Sequence, residues 1–173
     1  MEGSVSRKLE INVSASETWK TYGSLQLATL AVNAFPETYT GYQVLQGDGH
    51  AGTLIEVYFA PGVPGPASYK QAYTVVDDVK RVKIAPTTEG GILDQGFKSY
   101  VTRLDVKEKK GKPNECTMIG TIEYVLEDES ALPLVQSSID GLYDIMIVVA
   151  YYVITHTRTI PTQHQLTHAD YIN

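Results

Sequence analysis

The stretch LPLVQSSIDGLYDIMIVVAYYVITH, residues 132–156, decides the fold. Its apolar residues Leu142, Ile145 or Met146, Val149 and Val153 recur every three to four positions, the period of one face of a helix. Ser130 or a neighbour offers a cap. Pro133 is tolerated in the first turn, where its missing N–H has no intrahelical partner to lose. A helix of this length runs roughly 35 Å.

Everything before it alternates differently. At the start, Leu9, Ile11 and Val13 alternate with polar residues, which predicts a strand over 8–13. Residues 42–46, 53–59, 69–77, 81–88, 97–107 and 115–127 read as six further strands. The links 77–80 and 109–114 have the length of hairpin turns, so their neighbours are antiparallel. Residues 60–67 carry three prolines and two glycines and form a loop. Between the first two strands, Ser14 and Ser16 can cap a helix that starts near Ala15, with Trp19, Tyr22 and Leu25 on one face. Residues 15–35 therefore hold one or two short helices, broken near Gly23 and stopped at Pro36.

The expected class is α+β: a seven-stranded curved antiparallel sheet wrapped around a long C-terminal helix, with two short helices. No second sheet is available, so the long helix must close the inner face. Curvature leaves an internal cavity between sheet and helix, the natural place for a small molecule. Residues 1–158 should form this single domain, and residues 159–173, with Pro161 and no periodicity, a frayed tail.

Composition narrows the function classes. A chain of 173 residues fits one domain and can bury roughly 70% of its unfolded surface. Fourteen basic against 20 acidic side chains give a net charge of −6, which argues against nucleic acid as a partner but leaves a cationic ligand open. Cys116 has no second cysteine to pair with and lies in an apolar, β-branched stretch, which fits a packed strand thiol in a reducing compartment. Residues 1–10 hold no apolar segment of the signal-peptide kind. The longest apolar run, 145–154, is about half a membrane span. A cytosolic protein with no membrane partner is expected, a monomer or weak homodimer.

Several motifs carry a bland reading. Gly47-Asp48-Gly49-His50-Ala51-Gly52 matches the dinucleotide pattern G-x-G-x-x-G, but β-branched and aromatic residues follow it where a phosphate-binding helix should start. It reads as a hairpin loop. His164 and His168 have the spacing of a two-ligand metal edge with no Cys or carboxylate cluster to complete it, so no metal and no cofactor is expected. His50 and His156 have no partner visible in the sequence.

Twelve tyrosines against three phenylalanines are compatible with strand preference and equally with a cavity for phenolic compounds. Tyr69, Gln71 and Tyr73 share one strand face, and Tyr100 and Thr102 share another. Lys83 lies between Val82 and Ile84, so alternation alone turns it to solvent. Turned inward it would be desolvated, its pKa would fall, and it would serve as a base or amine nucleophile near neutral pH.

From about Ser4 to His156 the chain resembles the birch-pollen-allergen, or pathogenesis-related class-ten, family, and within it the norcoclaurine-synthase and norbelladine-synthase branch. The segments that carry the resemblance are 9–16, 47–53, 68–70, 80–83 and 89–96. The resemblance implies the helix-grip fold and a cavity whose catalytic residues are Tyr69 and Lys83, which turns Lys83 inward. Gln71 stands at the family's glutamate position and Thr102 at its aspartate position. The norbelladine-type relatives also lack the aspartate, keep the glutamate, and are similar over 96–100. The implied activity is condensation of a phenethylamine such as tyramine or dopamine with an aromatic aldehyde through an iminium. Gln71, Tyr73, Tyr100 and Thr102 would then bind substrate. The alternative is a carrier that holds a flavonoid, alkaloid or hormone unchanged.

Overall fold

The computed structural model of the protein describes residues 1–158. The chain runs β1 (Glu2–Ile11), α1 (Ala15–Tyr22), α2 (Gln26–Ala34), β2 (Tyr39–Gln46), β3 (Leu54–Phe59), β4 (Ser68–Ala72), β5 (Val75–Asp77), β6 (Val82–Gly90), β7 (Phe97–Lys109), β8 (Lys112–Leu126) and α3 (Leu132–Arg158). The proposed tail, residues 159–173, lies outside the described residues, as do His164 and His168.

The strands form one antiparallel sheet in the order β1-β8-β7-β6-β4-β3-β2, with β5 paired to β6 off this path. The expected strand over 69–77 is thus two, which makes eight. The cause is a change of partner. Tyr73 still pairs with β3's end, donating to the Thr53 carbonyl and accepting from Gly52 N–H, each at 2.8 Å. Thr74 N–H has already turned to the Ile84 carbonyl of β6 at 3.0 Å. No Gly or Pro marks this corner, so nothing local announces it. The first strand begins at Glu2 rather than at residue 8, paired residue for residue with β8.

Local chemistry sets the helices. The Ser14 hydroxyl accepts from Glu17 N–H at 3.2 Å and caps α1. The Trp19 indole then donates to Asp78 at 2.8 Å, and the buried Tyr22 hydroxyl to the Ile119 carbonyl at 2.8 Å, tying α1 to the sheet. Asp128, a neighbour of Ser130, caps the short turn Glu129–Ala131 that leads into α3: its carboxylate accepts from Ser130 N–H at 2.9 Å. By length and apolar content alone the stretch Glu129–Thr157 would suffice to cross a membrane. Here its Met146, Val149 and Val153 are buried in a cluster with Ile11, Leu104 and Met118 of the sheet and Trp19 and Tyr22 of α1.

Gly120 of β8 permits that seat. A Cβ there would lie 2.8 Å from Met146 Sδ and 3.0 Å from Leu142 Cδ2. The core is not contiguous. A second cluster joins Ala28, Ile55, Val57, Tyr73 and Ala85, and a third joins Phe97, Leu126, Ala131 and Val135. The space between the three clusters stays open.

Candidate functional site

That space is a cavity of about 410 Å³, within the range of small-molecule pockets. β3 contributes Ile55, Val57 and Phe59, while α2 and α3 add Ala28, Ala31, Leu134, Leu142 and Ile145. All six residues singled out from the sequence line it: Tyr69, Gln71, Tyr73, Lys83, Tyr100 and Thr102. Among the described residues its lining holds no Asp, Glu, Arg or His, so Lys83 is the one formal charge.

Lys83 is 2% exposed. Alternation alone misplaces it, because β6 turns Lys83, Ala85 and Thr87 inward while Val82, Ile84 and Pro86 face out. The Lys83 amine sits over the Tyr73 ring, 3.7 Å from its centre. A cation over an aromatic face is stabilised, but this contact does not offset the loss of water. Burial lowers the Lys83 pKa from 10.5 to about 7, and no hydrogen bond or ion pair holds it up. No enclosed side-chain nitrogen or oxygen among the described residues lacks a partner, so this unpaired amine must face the open space.

The partner change described above places Tyr73 at the end of β4, on the same face as Tyr69 and Gln71. Tyr69 is seated by Gly91, whose φ of +55° suits glycine and whose missing Cβ would fall 2.8 Å from the Tyr69 Cβ. Its ring packs on Phe59 at 5.6 Å, which in turn stacks on Tyr39 at 5.9 Å. Burial raises the Tyr69 pKa well above 10, with the nearby hydroxyls of Tyr39, Tyr100 and Tyr73 adding to it. Tyr100, beside Ser138 of α3, is pushed up to about 12, chiefly by burial. These phenols are neutral donors at physiological pH. Gln71 donates its amide to the Ala85 carbonyl at 3.3 Å, bracing the wall.

Sequence reasoning missed Tyr39, Thr87, Gln95 and Ser138, all of which line the cavity. Thr87 was accessible in principle, since it shares the face of Lys83 two steps on. Ser138 and Gln95 reach the cavity only through tertiary packing.

The other candidates fall away from this space. In the glycine-rich segment, Gly47, Gly49 and Gly52 have φ of 85°, 104° and 93°, and Gly49 N–H donates to the Thr53 hydroxyl at 2.8 Å. It closes the β2–β3 hairpin and opens no helix, as expected. His50 does have a partner, Asp48 at 2.9 Å, and His156 stacks on Tyr152 at 3.7 Å, so neither is isolated as the sequence suggested. Cys116 is buried and donates to the Thr18 hydroxyl at 3.3 Å.

No family model matches the chain. Norbelladine synthase of Narcissus pseudonarcissus is 39% identical over 131 residues, 76% of this chain and 79% of that protein. S-norcoclaurine synthase 2 of Papaver somniferum is 32% identical over 124 residues, 71% of this chain, which spans about half (52%) of that longer relative. The X-ray structure of norcoclaurine synthase from Thalictrum flavum in complex with dopamine and hydroxybenzaldehyde superposes with a TM-score of 0.76 at 25% identity, covering 90% of this chain and 88% of that one. A curved antiparallel sheet gripping one long helix, with these relatives, places the chain in the norbelladine-synthase and norcoclaurine-synthase branch of the pathogenesis-related class-ten family.

Proposed function

We propose that the protein condenses a phenethylamine, such as tyramine or dopamine, with an aromatic aldehyde through an iminium, as an alkaloid-forming enzyme. One observation carries this reading: a desolvated, unpaired amine faces a cavity of small-molecule size lined by phenols. Lys83 moves protons while the carbinolamine loses water, and in any later ring closure. Tyr69 hydrogen-bonds a phenol or polarises the aldehyde carbonyl. Gln71, Tyr73, Tyr100 and Thr102 hold and orient the two guests. Gln71 cannot act as a base, so much of the acceleration comes from confining both reactants together, an effect worth up to ~7–11 kcal/mol in well-oriented systems. The dopamine and hydroxybenzaldehyde held by the Thalictrum enzyme support this substrate class. Residues 1–158 act as one unit in this proposal.

The decisive experiment mixes purified protein with tyramine or dopamine and hydroxybenzaldehyde-type aldehydes and follows product by mass spectrometry. Product from the wild-type chain and its loss in Lys83→Ala are expected. Equal rates in the two proteins would remove Lys83 from the mechanism.

A second reading has its own observation. With no carboxylate among the described residues lining the cavity, the same space suits a carrier of flavonoid, alkaloid or hormone. Micromolar binding of such ligands with no turnover of amine and aldehyde would favour it.

A further inference from the structure

We propose that Lys83 captures the aldehyde covalently, its amine adding to the carbonyl carbon of an aromatic aldehyde and losing water to give an imine on Nζ. This rests on the condensation reading and deepens it: the lysine acts as nucleophile before it acts as base.

The environment is the one such a step requires. An amine attacks only through its free lone pair, and a lysine in water is almost wholly protonated. Lys83 lies 2% exposed, and among the described residues no carboxylate lines its cavity to hold a proton on it. Its contact is the face of Tyr73, which leaves the nitrogen open toward the space. The titratable groups that share the space are Tyr39, Tyr69, Tyr73 and Tyr100, all kept neutral by burial. A pKa of about 7 accords with this geometry.

The chemistry balances without any further reagent. Nζ bonds to the carbonyl carbon as the C=O π pair moves to oxygen. That oxygen takes up one proton from the amine and one from solvent or a wall hydroxyl, and leaves as water. The remaining imine, protonated, is a stronger electrophile than the aldehyde. An incoming primary amine adds to the same carbon and passes one of its protons to Nζ, and the bond from that carbon to Nζ then breaks as the lone pair of the new nitrogen forms the C=N bond. This returns Lys83 as a neutral amine and leaves the iminium of the two substrates. The freed amine sits where a base is next needed. The scheme also explains how a cavity with no anion among its described lining residues handles a cationic substrate: the phenethylamine reacts as its neutral form with a carbon already activated.

The test uses the full wild-type chain, 4-hydroxybenzaldehyde and no amine, with sodium cyanoborohydride to reduce any imine to a stable secondary amine. Intact mass counts hydroxybenzyl groups and peptide mapping locates them. At neutral pH the unprotonated fraction of Lys83 exceeds that of a solvated lysine by on the order of a thousandfold, so labelling at Lys83 at least about tenfold above any surface lysine is expected. Lys83→Arg, checked for folding by circular dichroism, should lose that one label and keep the background. Labels on surface lysines alone, in protein that still forms product from amine and aldehyde, would overturn covalent capture and leave the condensation reading intact. Labelling at Lys83 without product on adding the amine would support capture while refuting condensation.

Discussion

The Lys83 amine stands 3.7 Å above the centre of the Tyr73 ring, inside a cavity where no other formal charge is present among the described residues. Attraction to the ring favours the ammonium, and burial opposes it. Burial prevails, and the group titrates near neutrality.

Stability should depend on pH through this lysine. Its folded pKa, about 7, lies below the ordinary 10.5. Between these values the unfolded chain holds a proton that the native protein has released. Native stability therefore rises with pH over this window, by up to about 1.4 kcal/mol per pH unit, and below about pH 7 the full burial cost is present. Urea midpoints taken from about pH 6 to about pH 9 should climb in the wild type. They should be flatter in Lys83→Met, which is also the more stable protein at the low end. A Lys83→Met midpoint that climbs equally would place the effect elsewhere.

Activity should have a basic limb. If the neutral amine is the working form, the condensation rate increases through an apparent pKa near 7 and levels off above it. Gln71→Glu puts an anion into the same cavity, favours the ammonium, and should move that limb upward by on the order of one unit. A pH–rate profile of each protein checks both statements, and an unmoved limb in Gln71→Glu would mean that the lysine does not feel this position.

Tyr69→Phe removes one hydroxyl and keeps the ring that packs on Phe59. Thermal stability should hold, while kcat/KM falls roughly tenfold, the equivalent of about 1.4 kcal/mol in the transition state. A fall in Tm with unchanged kcat/KM would make Tyr69 a wall residue only.

Gly120→Val should damage both fold and cavity. The new side chain meets Met146 and pushes Leu142, itself a cavity residue, away from β8. Destabilisation of about 1–3 kcal/mol is expected from overpacking, with weaker ligand binding beside it. Denaturation and dye titration on one preparation separate the two effects.

The architecture could be read from the chain because its signals are redundant. The period of α3, the hairpin lengths and the break at Gly23 each point to the same layout. Lys83 could not be read that way. Alternation assumes that the apolar side of a strand is the inside, and this protein is hollow at β6. There the inner face needs room and polar atoms, so it carries Lys83, Ala85 and Thr87, while the aliphatic Val82 and Ile84 cover the outside. Family resemblance placed the lysine correctly where pattern did not. The corner at Tyr73 was equally hidden, since both of its hydrogen-bonding partners are distant in sequence.

That corner couples backbone order to reactivity. Side chains on a strand swap sides with every residue, so a slip of one position in this seam would swing the Tyr73 ring outward and strip the ammonium of its aromatic shelf. Two backbone hydrogen bonds, from Tyr73 N–H to the Thr53 carbonyl and from Gly52 N–H to the Tyr73 carbonyl, guard against it. Amide exchange at this seam should therefore slow when a guest occupies the interior, and mild warming that frays it should abolish the proposed turnover well before the long helix melts.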